Sequence, residues 1–103
     1  MIKQLLILGA LALAATPSMA TPEEAMNKAG CMACHAKDKK VLGPSFKDIA
    51  LKYKGQKDAS AKLIDKVRKG GSGVWGPIPM SPNPVEKIND ADLKGAVELI
   101  LKS

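Results

Sequence analysis

Gly30-Cys31-Met32-Ala33-Cys34-His35 is the stretch whose reading decides the fold. It holds both cysteines and the one histidine of a 103-residue chain. A thioredoxin-like C-x-x-C asks for a preceding strand and a βαβ context. No segment here alternates apolar and polar residues in that way. A zinc site on Cys31, Cys34 and His35 lacks a fourth ligand, and adjacent Cys and His make a poor tetrahedron. A short disulfide accounts for the cysteines and leaves the histidine without a part. The remaining reading is C-x-x-C-H as the attachment signature of c-type haem. Two thiols at this spacing on a helical turn reach one edge of a macrocycle, and the next residue serves as proximal iron ligand.

The rest of the chain fits a small cofactor-filled domain. One domain is the most this length supports. There are three aromatic residues, Phe46, Tyr53 and Trp75. A chain this size is marginal on its own core, so a bound group is expected to fill the middle. Two cysteines three positions apart also exclude a disulfide scaffold.

Met1–Ala20 reads as a cleaved signal peptide. Lys3 gives the positive start, Leu5 to Ala15 is apolar or small throughout, and Ser18-Met19-Ala20 supplies the small residues before cleavage. The apolar run is too short to span a bilayer. A single domain at residues 21–103 would begin at Thr21 and work in the periplasm. The full chain carries a formal charge of +6, of which Lys3 contributes one.

Four helices are expected and no strands. The first runs from Thr21 to about His35, with Thr21 capping, Pro22 at the first position and Glu24 completing a capping box. The second, about Phe46–Tyr53, is capped by Ser45 and carries the stripe Phe46, Ile49, Ala50 and Tyr53. The third, about Ala61–Lys69, starts from Ser60 or Asp58 and ends at Gly70-Gly71. The fourth, about Asp90–Lys102, is capped by Asn89 and buries Leu93, Ala96, Val97 and Ile100. Between the last two lies Gly71–Ile88, with Pro77, Pro79, Pro82 and Pro84. Four prolines make it stiff without making it regular. A long loop in so small a domain is usually functional, and Trp75, Ile78 and Met80 argue that it wraps something.

The sixth iron ligand has to come from another segment. Met26 shares a helix with the attachment motif and cannot cross to the opposite face. Met32 lies between the cysteines, at the haem edge. Met80 sits in Pro77-Ile78-Pro79-Met80-Ser81-Pro82, where stiffness lowers the ordering cost of a weak thioether bond. His35 and Met80 together fill both axial positions, which implies outer-sphere one-electron transfer and no enzyme activity. A haem enzyme or gas sensor would need an open sixth position.

Across the whole region after residue 20 the sequence resembles the small bacterial class I cytochromes c of the c-551 type. Gly30–His35, Val41-Leu42-Gly43-Pro44 and Gly73-Val74-Trp75-Gly76-Pro77-Ile78-Pro79-Met80 carry the resemblance. It implies an all-α class I cytochrome c fold, about four short helices wrapped around one covalently bound haem. It implies that the Pro44 carbonyl orients His35, that Trp75 donates to a haem propionate, and that Asn83 hydrogen-bonds near the Met80 sulfur. Ser81 departs from the family's usual proline. The last helix lacks the aromatic residue that many relatives pack against the first, which puts that contact in question.

An electron carrier must bind, transfer and leave. Met32, Val41, Leu42 and Ser81-Pro82 are expected to frame an apolar haem edge. Lys28, Lys37, Lys39, Lys40, Lys66, Arg68 and Lys69 are candidates for a basic ring around it. Partners would be redox proteins with acidic or apolar docking surfaces. The resemblance implies a bc-type or quinol-oxidising cytochrome as donor, and a nitrite reductase, peroxidase or oxidase as acceptor. The chain is expected to be a monomer without stable membrane insertion. It lacks the aromatic interleaving of a nucleic-acid binder.

Overall fold

The computed structural model describes residues 20–103. The signal peptide expected at residues 1–20 lies, but for Ala20, outside the described residues.

Helix starts are written in the capping residues. Glu24 N–H donates to Thr21 Oγ1 at 3.2 Å and opens α1, Pro22–Ala29. Asp48 N–H donates to Ser45 Oγ at 3.0 Å and opens α2, Phe46–Tyr53. Asp92 N–H donates to Asn89 Oδ1 at 2.8 Å and opens α4, Asp90–Leu101. Each such cap contributes about 1 kcal/mol. α3, Ala59–Lys69, begins two residues earlier than its stripe predicts and has no side-chain cap. Its Asp58 carboxylate pairs instead with Lys62 Nζ, at 3.4 Å.

The first helix is shorter than expected. It stops at Ala29, because Gly30 turns left-handed at φ +86° and its N–H bonds back to Met26 and Asn27. A 3₁₀ turn, Cys31–Ala33, follows. It is closed by His35 N–H to Cys31 O at 3.0 Å and Ala33 N–H to Gly30 O at 3.1 Å. The C-x-x-C-H motif therefore starts in a separate tight turn rather than at the end of a long helix.

The proline-rich connection is also more regular than expected. β1, Gly71–Gly73, and β2, Gly76–Met80, pair antiparallel across a two-residue turn at Val74-Trp75. Gly71 faces Met80 and Gly73 faces Gly76, with an irregularity between them. Proline is tolerated because each strand of a two-stranded ladder has an unpaired edge. A Gly-Ser-Gly strand carries no apolar alternation, so the pattern gives no warning of it. The fold stays mostly helical.

α4 is the spine, packing on α1, α2 and α3. The core gathers Ala25, Met26 and Ala29 of α1, Phe46 and Ile49 of α2, Leu63 of α3, Ile88, and Leu93, Ala96 and Val97 of α4. Met26, Leu93 and Val97 are essentially without solvent contact. Burying side chains of this size stabilises by roughly 1.5–3 kcal/mol each. Flexible Met26 fills the α1 side of this core, so aliphatic residues close the helix contact without an aromatic residue on α4.

Candidate functional site

One cavity of about 380 Å³ lies between the C-terminal end of α1, the hairpin and α4. Cys31, Cys34, His35, Pro44, Trp75, Met80 and Asn83 all line it, although they are spread over 53 positions of sequence. Leu63, Val67, Val97 and Ile100 supply apolar wall.

The His35 wall is built from one short stretch. The 3₁₀ turn presents Cys31 half-buried and Cys34 exposed. Burial pushes the Cys31 thiol up from its ordinary pKa, partly opposed by the positive charge of Lys87. His35 Nδ1 lies 2.7 Å from Pro44 O. A carbonyl only accepts, so Nδ1 carries the proton and Nε2 keeps a free lone pair. Phe46 stacks on the imidazole, with ring centroids 5.5 Å apart and planes 23° from parallel. The loop between them is stapled by Gly43 N–H to Cys34 O at 2.8 Å and Phe46 N–H to Ala36 O at 3.0 Å. Gly43 passes directly beside the ring. A Cβ there would stand 2.6 Å from His35 Cε1 and 3.0 Å from Nδ1. Its sequence signal was only its place before Pro44.

The Met80 wall is assembled from distant pieces. Met80 ends β2, half-buried. Of the three methionines after residue 20, it is the one lining the cavity; Met26 lies in the core and Met32 is exposed. Asn83 is buried, and its amide group donates to Val67 O at 3.1 Å and Ser81 O at 3.0 Å. Both amide hydrogens are thus spent on backbone carbonyls. Asn83 steadies the segment after Met80 through these two bonds. Gly70, at φ +67°, lets the end of α3 touch Met80, Ser81 and Pro82 backbone to backbone. A Cβ would overlap Met80 O and come within 2.9 Å of Pro82 N. In the sequence Gly70 marks only a helix stop.

Trp75 lines the cavity from the hairpin turn, and Lys52 Nζ of α2 sits 5.3 Å from its ring centroid. This cation–π contact ties α2 to the hairpin. The residues fit a c-type haem. An apolar cavity far larger than the voids proteins tolerate is lined by two thiols, an imidazole with a free Nε2 and a thioether. Among the described residues, no group of three His, Cys, Asp or Glu side chains is arranged to hold a bare metal ion.

The comparisons with known proteins agree with this geometry. Residues 20–103 match the family model described as cytochrome c. Cytochrome c2 of Rubrivivax gelatinosus is 51% identical over 84 residues, covering 82% of this chain and 99% of that protein. Cytochrome c-551 of Azotobacter vinelandii is 47% identical over 79% of this chain and 95% of its own length. The crystal structure of Nitrosomonas europaea cytochrome c552 superposes with a TM-score of 0.72 at 45% identity, covering 78% of this chain and 96% of that one.

The chain belongs to the cytochrome c family. Within it, the chain is a small class I cytochrome c of the c-551 type, an electron carrier that holds one covalent haem c.

Proposed function

We propose that this protein is a periplasmic one-electron carrier whose iron is held between His35 and Met80. The observation that carries the reading is that Cys31, Cys34, His35 and Met80 line a single apolar cavity. Residues 1–20 act as the signal peptide, removed on export, and the domain begins at Thr21. Cys31 and Cys34 would hold the haem as thioethers: at each, the thiol S–H and a vinyl π bond would give way to an S–C and a C–H bond.

Bound haem supplies a reversible one-electron couple. Pro44 O holds the His35 Nδ1 proton, which fixes the tautomer and raises the basicity of Nε2. Met80 offers a weak neutral thioether that favours the reduced iron and raises the potential. Trp75 offers its indole N–H to a propionate. With His35 and Met80 both holding the iron, no open coordination position would remain for a substrate, and the protein would carry electrons rather than act as an enzyme. Among the described residues no helix is long and apolar enough to cross a membrane. The carrier acts as a monomer. Electrons come from a bc-type or quinol-oxidising cytochrome and pass to a nitrite reductase, peroxidase or oxidase.

The test is a visible spectrum of the exported protein in both oxidation states. Sharp reduced c-type bands with the weak far-red sulfur-to-iron band of the oxidised form are expected. Haem bands without the far-red band, or carbon monoxide binding to the reduced protein at neutral pH, would overturn Met80 as ligand. No haem bands would overturn the whole reading.

A further inference from the structure

The last turn of α3 holds an arginine whose sequence context, Lys66-Val67-Arg68-Lys69, looks like a solvated basic run. The structure spends it differently. Arg68 Nη1 donates to Asn83 O at 3.0 Å and to Ile88 O at 2.6 Å. Arg68 Nη2 donates to Asp90 Oδ1 at 2.6 Å. Its side chain is 19% exposed, whereas that of Asp90 is 89% exposed. The three acceptors stand before the turn at residues 84–88, at its end, and at the start of α4. One planar fork therefore closes residues 83–90 against α3. A lysine offers a single point charge and cannot span acceptors so placed.

The same helix end grips the segment by its backbone. Asn83 N–H donates to Val67 O at 3.1 Å and to Arg68 O at 3.3 Å. Arg68 and Asn83 are thus bonded both ways, and the Asn83 side chain continues the connection to Ser81 O. Ser81 follows Met80 directly. A thioether holds iron weakly, so its retention depends on how tightly the chain keeps it in place. Hydrogen bonds to a charged, half-buried group are the strong ones in such a segment.

We propose that Arg68 is a latch on the Met80 segment, a positioning residue that sets how often Met80 leaves the cavity and how readily an outside ligand takes its place. This rests on Met80 as the axial ligand. It also removes Arg68 from the docking ring, since its donors are committed to the fold.

The test uses the haem-loaded protein with Arg68→Met, Arg68→Lys and, as a stability control, Ala96→Gly. Ala96 is buried in the core and does not line the cavity. Three quantities are measured: the rate at which imidazole displaces Met80 from oxidised iron, the denaturation midpoint, and hydrogen exchange at the Asn83 amide. Arg68→Met is expected to speed displacement roughly tenfold and to speed Asn83 exchange. Arg68→Lys restores little of either. Ala96→Gly lowers the midpoint and leaves the displacement rate near that of the parent. Displacement at the parent rate in Arg68→Met would overturn the latch. So would rates that simply track the midpoint across all three variants. A parent protein without the far-red band would sink the axial-ligand reading. The control of displacement by Arg68 would fall with it, because it rests on that ligand.

Discussion

The two walls of the cavity are specified in different ways. The His35 wall is made by residues 31–46, close in sequence, and its geometry follows from adjacency. The 3₁₀ turn spaces the thiols, His35 comes next, and Pro44 O closes on Nδ1 at 2.7 Å. The Met80 wall joins α3, the hairpin and the turn before α4 through Gly70, Asn83 and Arg68. The first wall is a local motif that carries both thiols. The second is a tertiary assembly of non-covalent contacts. Damage to the first is expected to remove the cofactor, and damage to the second to change how the retained cofactor behaves.

The largest effect is expected at the attachment turn. Cys31→Ala or Cys34→Ala should abolish or greatly weaken covalent haem retention. Folding should suffer too, because the cavity would lose the group that completes the core. Denaturing electrophoresis with a haem stain checks this. Full stoichiometric retention in both variants would break the two-thioether account.

On the opposite wall, Met80→Ala should leave haem attached and the helices folded. The midpoint potential should fall and the reduced protein should bind carbon monoxide. Redox titration and a carbon monoxide difference spectrum measure the two. An unchanged potential would mean that the second wall does not supply the ligand.

A sharper comparison swaps single methyl groups between the walls. Gly43→Ala puts a Cβ 2.6 Å from His35 Cε1, so the imidazole or the loop beside it must shift. Gly70→Ala forces a left-handed backbone to carry a Cβ against the Met80–Pro82 backbone, which has no flexible side chain to yield. Each should cost about 1–3 kcal/mol of stability. They should differ in kind: Gly70→Ala weakens the far-red band of the oxidised protein, and Gly43→Ala perturbs the imidazole signals. Identical spectra from the two variants would dissolve the distinction between the walls.

What sequence could show follows the same division. Caps at Thr21, Ser45 and Asn89, the α2 stripe and the C-x-x-C-H turn are local, and each depends on residues within a few positions. The hairpin was hidden because Gly71-Ser72-Gly73 has no alternation and prolines fill its partner strand. Gly43 and Gly70 matter through what approaches them in space, so spacing alone showed only a turn and a helix end. Arg68 sits in a run of basic residues, and its acceptors lie 15 to 22 positions away. The backbone partners of Asn83 were not legible, since buried amides bond to whichever carbonyls the fold brings near.

The smallest effect is expected in the encounter with partners. Among the described residues the ion pairs are Lys62–Asp58, Arg68–Asp90 and Lys69–Asp65. Arg68 belongs to the fold, and Lys69 has a carboxylate 3.0 Å away that cancels much of its field. Lys37, Lys39 and Lys40 differ: they are exposed on the loop of the His35 wall, beside exposed Val41 and Leu42. If the basic ring guides an acidic partner, this loop carries three of its unpaired charges. Converting Lys37, Lys39 and Lys40 to glutamine should slow electron transfer several-fold at low ionic strength and flatten its salt dependence, while Lys69→Gln should leave both nearly unchanged. Stopped-flow rates against an acidic redox protein over a range of salt would show it. Equal effects from the loop variant and Lys69→Gln would place docking charge on both walls, and no effect from either would leave the lysines as solvated surface.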